Sequence, residues 1–288
     1  DQSAPTLSGT WPSNITGQNS CFANADVSVL MSNEDVAALY SDGCGGTVSV
    51  THTDANTSTD NCNWTITRTY TITNACGTNS TTNTQSVSGS DQSAPSLTGT
   101  WPDNITGQNS CFANADVSVL MSNEDVAALY SDGCGGTVSV THTDANTSTD
   151  NCDWTITRTY TITNACGTNS TTKTQSVSGG DQSAPTLSGT WPSNITGQNS
   201  CFANADVSVL MSNEDVAALY SDGCGGTVSV THTDANTSTD NCDWTITRTY
   251  TITNACGTNS TTKTQSVSGG DQSAPTLSGT WPSNITGQ

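Results

Sequence analysis

Residues 64–73 read WTITRTYTIT. In an extended chain successive side chains point to opposite faces, so Trp64, Ile66, Arg68, Tyr70 and Ile72 share one side and five threonines share the other. So regular an alternation predicts a strand with one face on a core and one toward water. Arg68 interrupts the apolar face. A buried charge without a partner is costly, so Arg68 must meet a carboxylate or run outward over Trp64 and Tyr70.

Working outward, Asn74 to Asn79 form a turn around Gly77, and residues 81–88 form a polar strand leading into SGSDQSAP. Upstream, residues 54–63 (DANTSTDNCN) are turn chemistry throughout. Before them, 47–53 (TVSVTHT) alternate as a strand with Val48, Val50 and His52 on one side. A short helix precedes that strand. Ser32 is its N-cap, Asp35 completes an approximate capping box, Val36, Leu39 and Tyr40 make an apolar stripe, and Gly43 ends it. Residues 25–31 (ADVSVLM) read as a strand through Val27 and Val29. Residues 7–16 read as an irregular edge strand, with Pro5 and Pro12 at positions that cannot donate to a ladder.

The pattern is written three times, over 1–90, 91–180 and 181–270, and 271–288 begin it again as the first strand of a fourth copy. Repeats one and two differ at six positions and repeats one and three at three. A period of this length suits a small domain and is too long for a solenoid coil. The expected fold is all-β: tandem immunoglobulin-like antiparallel β-sandwich repeats, each with one short helix insert and two disulfides. A natural terminus would leave Trp281 and Ile285 without a partner sheet, so the chain reads as a window on a longer array, with DQSAP as a linker; the alternative is that this strand packs on a neighbouring domain or chain.

Each repeat carries four cysteines: Cys21, Cys44, Cys62 and Cys76, then Cys111, Cys134, Cys152 and Cys166, then Cys201, Cys224, Cys242 and Cys256. Even counts at fixed spacing in so small a domain read as a disulfide framework in an oxidising compartment, and no paired short spacing suggests zinc. A straight strand over 64–73 holds Cys62 and Cys76 on the order of 40 Å apart, far beyond bonding distance. Alternating strand directions put Cys21 and Cys62 at one pole and Cys44 and Cys76 at the other. The expected bridges are Cys21–Cys62 and Cys44–Cys76 in every repeat, each worth about 3–4 kcal/mol.

Hydrophobic residues make up 32% of the chain, a thin core that covalent staples would support. The net charge of −20 sets nucleic acid aside as a partner. No apolar run is long enough for a membrane span, and no signal segment opens the chain, which reads as mature or excised. No catalytic constellation is present. His52 stands alone in a strand, and neither a phosphate loop nor a nucleophile elbow occurs. No cofactor is expected beyond calcium. Asp1, Asp26, Glu34, Asp35, Asp42, Asp54 and Asp60 are scattered, so a calcium site would be assembled from separate loops, best at Asp91 near Asp60. The threonine row could suggest ice binding, but a strand face explains it. The sequons at Asn14, Asn56, Asn63 and Asn79 follow from the composition.

TRTYTITNACGTNS, the polar strand and the SGSDQSAP junction resemble the hyalin-repeat-like, immunoglobulin-like modules of giant secreted surface proteins of Bacteroidetes. Asn74 stands where those turns commonly carry Asp. The resemblance implies a secreted or cell-surface array, part of an adhesin of the gliding-motility kind or of a filament. Its partners would be further copies of the repeat, neighbouring chains of a fibre, and an extracellular surface or glycan. The expected function is a stiff structural or adhesive stalk; the alternative is an array of calcium-dependent glycan-binding modules.

Overall fold

A computed structural model of the chain describes residues 2–282 and 284. Asp1 and Ile285 lie outside them. Each repeat is a tandem copy of one all-β unit with a short helix. In repeat one the elements are β1 (Thr6–Leu7), β2 (Ile15–Asn19), α1 (Asn33–Ala38), β3 (Tyr40–Ser41), β4 (Ser49–Asp60), β5 (Asn63–Thr73) and β6 (Ser80–Ser90). The main sheet has the order β2-β6-β5-β4, and β1 pairs with β3 in a separate ribbon. β4, β5 and β6 are antiparallel neighbours, whereas β2 runs parallel to β6 with Ile15 opposite Val87. Repeat three repeats the plan with Ser229–Asp240, Asp243–Thr253, Ser260–Gly269 and Ile195–Gln198.

β5 is the central strand, and its alternation is the core. Trp64, Ile66, Arg68, Tyr70 and Ile72 are all buried, with the two aromatic rings fully so. Trp64 and Ile66 pack with Leu30 and Val87, while Tyr70 and Ile72 pack with Val36. Both rings also bond the backbone: Trp64 Nε1 donates to Ser20 O at 2.8 Å and Tyr70 Oη to Met31 O at 2.7 Å.

Local structure departs from the sequence reading in four places. No single strand covers residues 7–16: Thr6–Leu7 pair with β3, residues 8–14 carry no strand, and Ile15–Asn19 join β6. Residues 25–31 are not a strand, since Val27–Val29 form a 3-10 turn. Asp26 accepts from Ser28 N–H at 2.9 Å and Gln18 grips the Asp26 backbone on both sides, so side-chain bonds replace a ladder. The helix stops at Ala38, short of Gly43, because Tyr40 and Ser41 pair with β1. Its cap is as read: Ser32 accepts from Asp35 N–H, and the capping box is complete in repeat two between Ser122 and Asp125. Residues 54–60 are strand, not turn. β4 runs on to Asp60 past an irregularity between Asn56 and Ser58, leaving only Asn61 and Cys62 in the hairpin turn.

Arg68 takes the first of its two options. Its Nε and Nη2 donate to the two oxygens of Asp54, each at 2.8 Å, directly across the β4–β5 ladder. The hydrogen bonds from Arg68 hold the Asp54 carboxyl below its ordinary range, against a smaller effect of burial. Because that carboxyl is depressed in the fold, its contribution is complete above the ordinary value of 3.8 and is lost as pH falls through the lower folded value. Asp54→Asn should destabilise repeat one by about 1–3 kcal/mol at neutral pH. It should also remove part of the acid limb of the unfolding profile, read by circular dichroism between neutral pH and pH 2.

The chain packs as two compact units. The first contains repeat one with Ser118–Ala145 and Thr157–Ser176 of repeat two; the second contains Ile105–Val117 and Asn146–Ile156 with repeat three. Residues 271–282 carry no strand, and Leu277 and Trp281 are exposed.

Candidate functional site at the repeat junctions

The strand directions carry Cys21 and Cys62 to the trailing pole of repeat one, beside Ser90, and Cys44 and Cys76 to its leading pole. That placement agrees with the sequence reading, but the pairing does not. Neither Cys21–Cys62 nor Cys44–Cys76 forms. Cys21 is bonded to Cys134 and Cys62 to Cys166, both in the next repeat, with Cα separations of 5.3 and 5.1 Å. Cys111–Cys224 and Cys152–Cys256 join repeats two and three in the same way. The physical reason is that the trailing pole of one repeat meets the leading pole of the next, and each pole presents two thiols to the other. Cys44, Cys201 and Cys242 retain free thiols, and Cys76 lies outside the four bridges.

Asparagines close the same junction. Asn61, in the β4–β5 turn, accepts from Phe22 N–H at 2.9 Å and donates across to Cys134 O at 2.9 Å. The linker is held from both sides. Asp91 N donates to Asn61 O at 2.8 Å and Gln92 N to Asn19 Oδ1 at 2.7 Å. From repeat two, Asn164 Nδ2 donates to Asp91 O at 3.3 Å and Ser93 O at 3.2 Å. Asn164 Oδ1 meanwhile accepts Thr168 and Asn169 N–H. An amide both donates and accepts, which a carboxylate cannot do. This accounts for Asn at position 74 and its relatives, and for their burial at 2% exposure. The second unit repeats the set with Asn151 on Cys224 O and Asn254 on Asp181 O.

At the centre of each junction lie two buried acids. Asp91 and Asp132 are 1% and 5% exposed, Asp181 and Asp222 3% and 8%. Asp91 and Asp132 line one cavity and act on each other electrostatically, and Asp181 and Asp222 also act on each other. Asp91 Oδ1 accepts Ser93 N–H at 2.9 Å, but Asp91 Oδ2 and Asp181 Oδ2 receive no hydrogen bond. Burial first, then the charge of Asp91, raises the Asp132 carboxyl above 3.8. In the second junction burial first, and then the neighbouring Asp222, raise Asp181. Burial pushes Asp222 up, but the neighbouring Asp181 and the N–H groups of Ala255 and Cys224 together lower it further, so it ends low. The Asp91 side chain thus meets Asp132, while Asp60 caps Cys62 N–H at 2.9 Å. Among the described residues no three of His, Cys, Asp or Glu gather as a metal site.

His52 is exposed on β4, with Nδ1 2.7 Å from Asn33 Oδ1. Composition could have flagged the repeated Asp91 and Asp42 positions as acids; nothing local in the sequence signals that they meet only across repeats. Bridged cysteines imply an oxidising compartment, and no helix among the described residues is long and apolar enough to cross a membrane. A scan against protein-family models and a search of curated proteins both return no match for the chain.

Proposed function

We propose that the chain is a stretch of an extracellular structural and adhesive array, the stalk or fibre of a bacterial surface adhesin or filament, in which bridges between successive repeats carry tension. The observation that carries this reading is the pairing of Cys21 with Cys134 and Cys62 with Cys166, repeated at the next junction. A disulfide inside a domain would shorten what that domain releases when pulled open. A pair across the junction also takes the linker out of the path of the force.

The length of the path makes the proposal measurable. From Asp1 the shortest covalent route runs to Cys21, across to Cys134, on to Cys152, across to Cys256 and out to Gln288. It passes about 70 residues in place of all 288, so at ~3.5 Å per residue full extension is roughly 250 Å oxidised and roughly 1000 Å reduced. Single-molecule force spectroscopy on the chain held by its ends, before and after a thiol reductant, should show this fourfold gain. An oxidised chain that draws out to the reduced length would remove the basis for a tension-carrying role.

A further inference from the structure

We propose that each repeat junction is a one-proton binding site, in which Asp91 with Asp132, and Asp181 with Asp222, hold a single proton between two carboxyl groups and so form an acid-tightened clasp beside the bridges. Three observations converge on it. The two acids are buried together, each junction contains the same pair, and one oxygen of Asp91 and of Asp181 receives no donor from the protein. Two carboxylates in contact away from water cannot both ionise, so something positive must lie between them. The remaining partners add no positive side chain. Asp132 is met by Ala165 and Gly136 N–H and by Asp91; Asp181 by Ser183 and Asp222; Asp222 by Ala255 and Cys224 N–H. The neighbouring cystines do not titrate.

The donor count favours a proton over a metal ion. Calcium takes about 6–8 oxygens and magnesium a near-octahedral set, and among the described residues no third His, Cys, Asp or Glu joins the two carboxylates. Asp132 is closely packed on one side, where a Cβ on Gly136 would lie 2.7 Å from its Oδ2 and 2.3 Å from the Ala165 Cβ, while the pair also lines a cavity of about 340 Å³ with Asn19, Ser20 and Ser93. The raised carboxyl is Asp132 in one junction and Asp181 in the other. These are two labels for one shared proton, whose titration belongs to the pair.

The sign follows. A carboxyl raised in the fold contributes stability that is complete below the ordinary 3.8 and is lost as pH rises through the folded value. The Arg68–Asp54 pair acts in the opposite sense and only in acid, so the two are separable.

The test is potentiometric titration of the full oxidised chain against Asp132→Asn/Asp222→Asn, in which an amide replaces the protonated acid. Above the ordinary carboxylate range the parent should release two more protons than the variant, one per junction. Its melting point should fall with rising pH while the variant's stays flatter. Asp91→Asn/Asp181→Asn should behave alike and serves if the first variant fails to form its four bridges; should neither fold, a parent melting point that falls as pH rises above that range supports the site, and a flat one overturns it. Equal proton release overturns the proposal. So does calorimetric binding of two calcium ions per parent chain that the variants lack, because the occupant would then be the metal.

Discussion

Trp64→Ala should unfold repeat one under conditions in which repeat three stays folded, with a loss of about 3–5 kcal/mol. Trp64, on β5, is fully buried against Leu30, Ile66 and Val87, with Ile15, Phe22, Ala25 and Val27 around them. Removing the ring opens a cavity and also orphans the Ser20 carbonyl that its Nε1 reaches. A domain of this size has little reserve: small cores yield few kcal/mol of net stability, so the loss is comparable with the whole. Hydrogen exchange read by mass spectrometry can locate the effect, because Asn63 and Asn83 mark repeat one where the other repeats have Asp and Lys. Rapid exchange in residues 63–83, with the Asp243–Lys263 segment protected, is the expected result. Uniform protection would mean that the ring contributes little to the core.

A second substitution separates ring packing from strand pairing at the same place. Gly89 lies over the indole. A Cβ there would sit 2.4 Å from Trp64 Cζ2 and 2.3 Å from the backbone oxygen of Gln18 in the parallel β2 strand. The oxygen cannot swing away as a side chain could, so Gly89→Ala should pry β2 from β6 even with Trp64 in place.

WTITRTYTIT was legible because its two-residue period and its burial have the same cause. The same alternation misled at ADVSVLM, where Val27 and Val29 imitate a strand while Asp26 and Gln18 spend their hydrogen bonds on a turn. It failed in the other direction at DANTSTD, whose turn-forming residues lie in β4 because Asp54 pairs with Arg68 and an irregularity at Asn56 absorbs the mismatch. The poles of the four cysteines could be read from strand direction, yet their partners could not. Identical repeats make Cys44 and Cys134 the same residue to any local argument, and only the docking of one repeat on the next distinguishes them. The acid pairs were hidden for the same reason, since Asp91 and Asp132 are neighbours through the junction and not through either repeat.

A single unreduced trypsin digest should therefore yield one disulfide-linked species spanning residues 1–263, releasing only 264–288. Trypsin cuts after the five basic residues, Arg68, Arg158, Lys173, Arg248 and Lys263. Cys21–Cys134 ties 1–68 to 69–158, and Cys62–Cys166 ties 1–68 to 159–173. Cys111–Cys224 then ties 69–158 to 174–248, and Cys152–Cys256 ties it to 249–263. Bridges confined within repeats would leave two linked species, 1–173 and 174–263, because nothing would join repeat two to repeat three. The near-identity of the repeats does not blur this outcome, since the two readings differ in the number of covalent bodies and not in the mass of a short peptide. Alkylation before reduction should label Cys44, Cys201 and Cys242. Replacing Cys21, Cys62, Cys134 and Cys166 together by Ser opens two loops on the order of 100 residues, and the first junction should lose about 4–5 kcal/mol for each bridge. Two separate species in the digest, or urea midpoints unchanged by the four replacements, would return the bridges to the interior of each repeat.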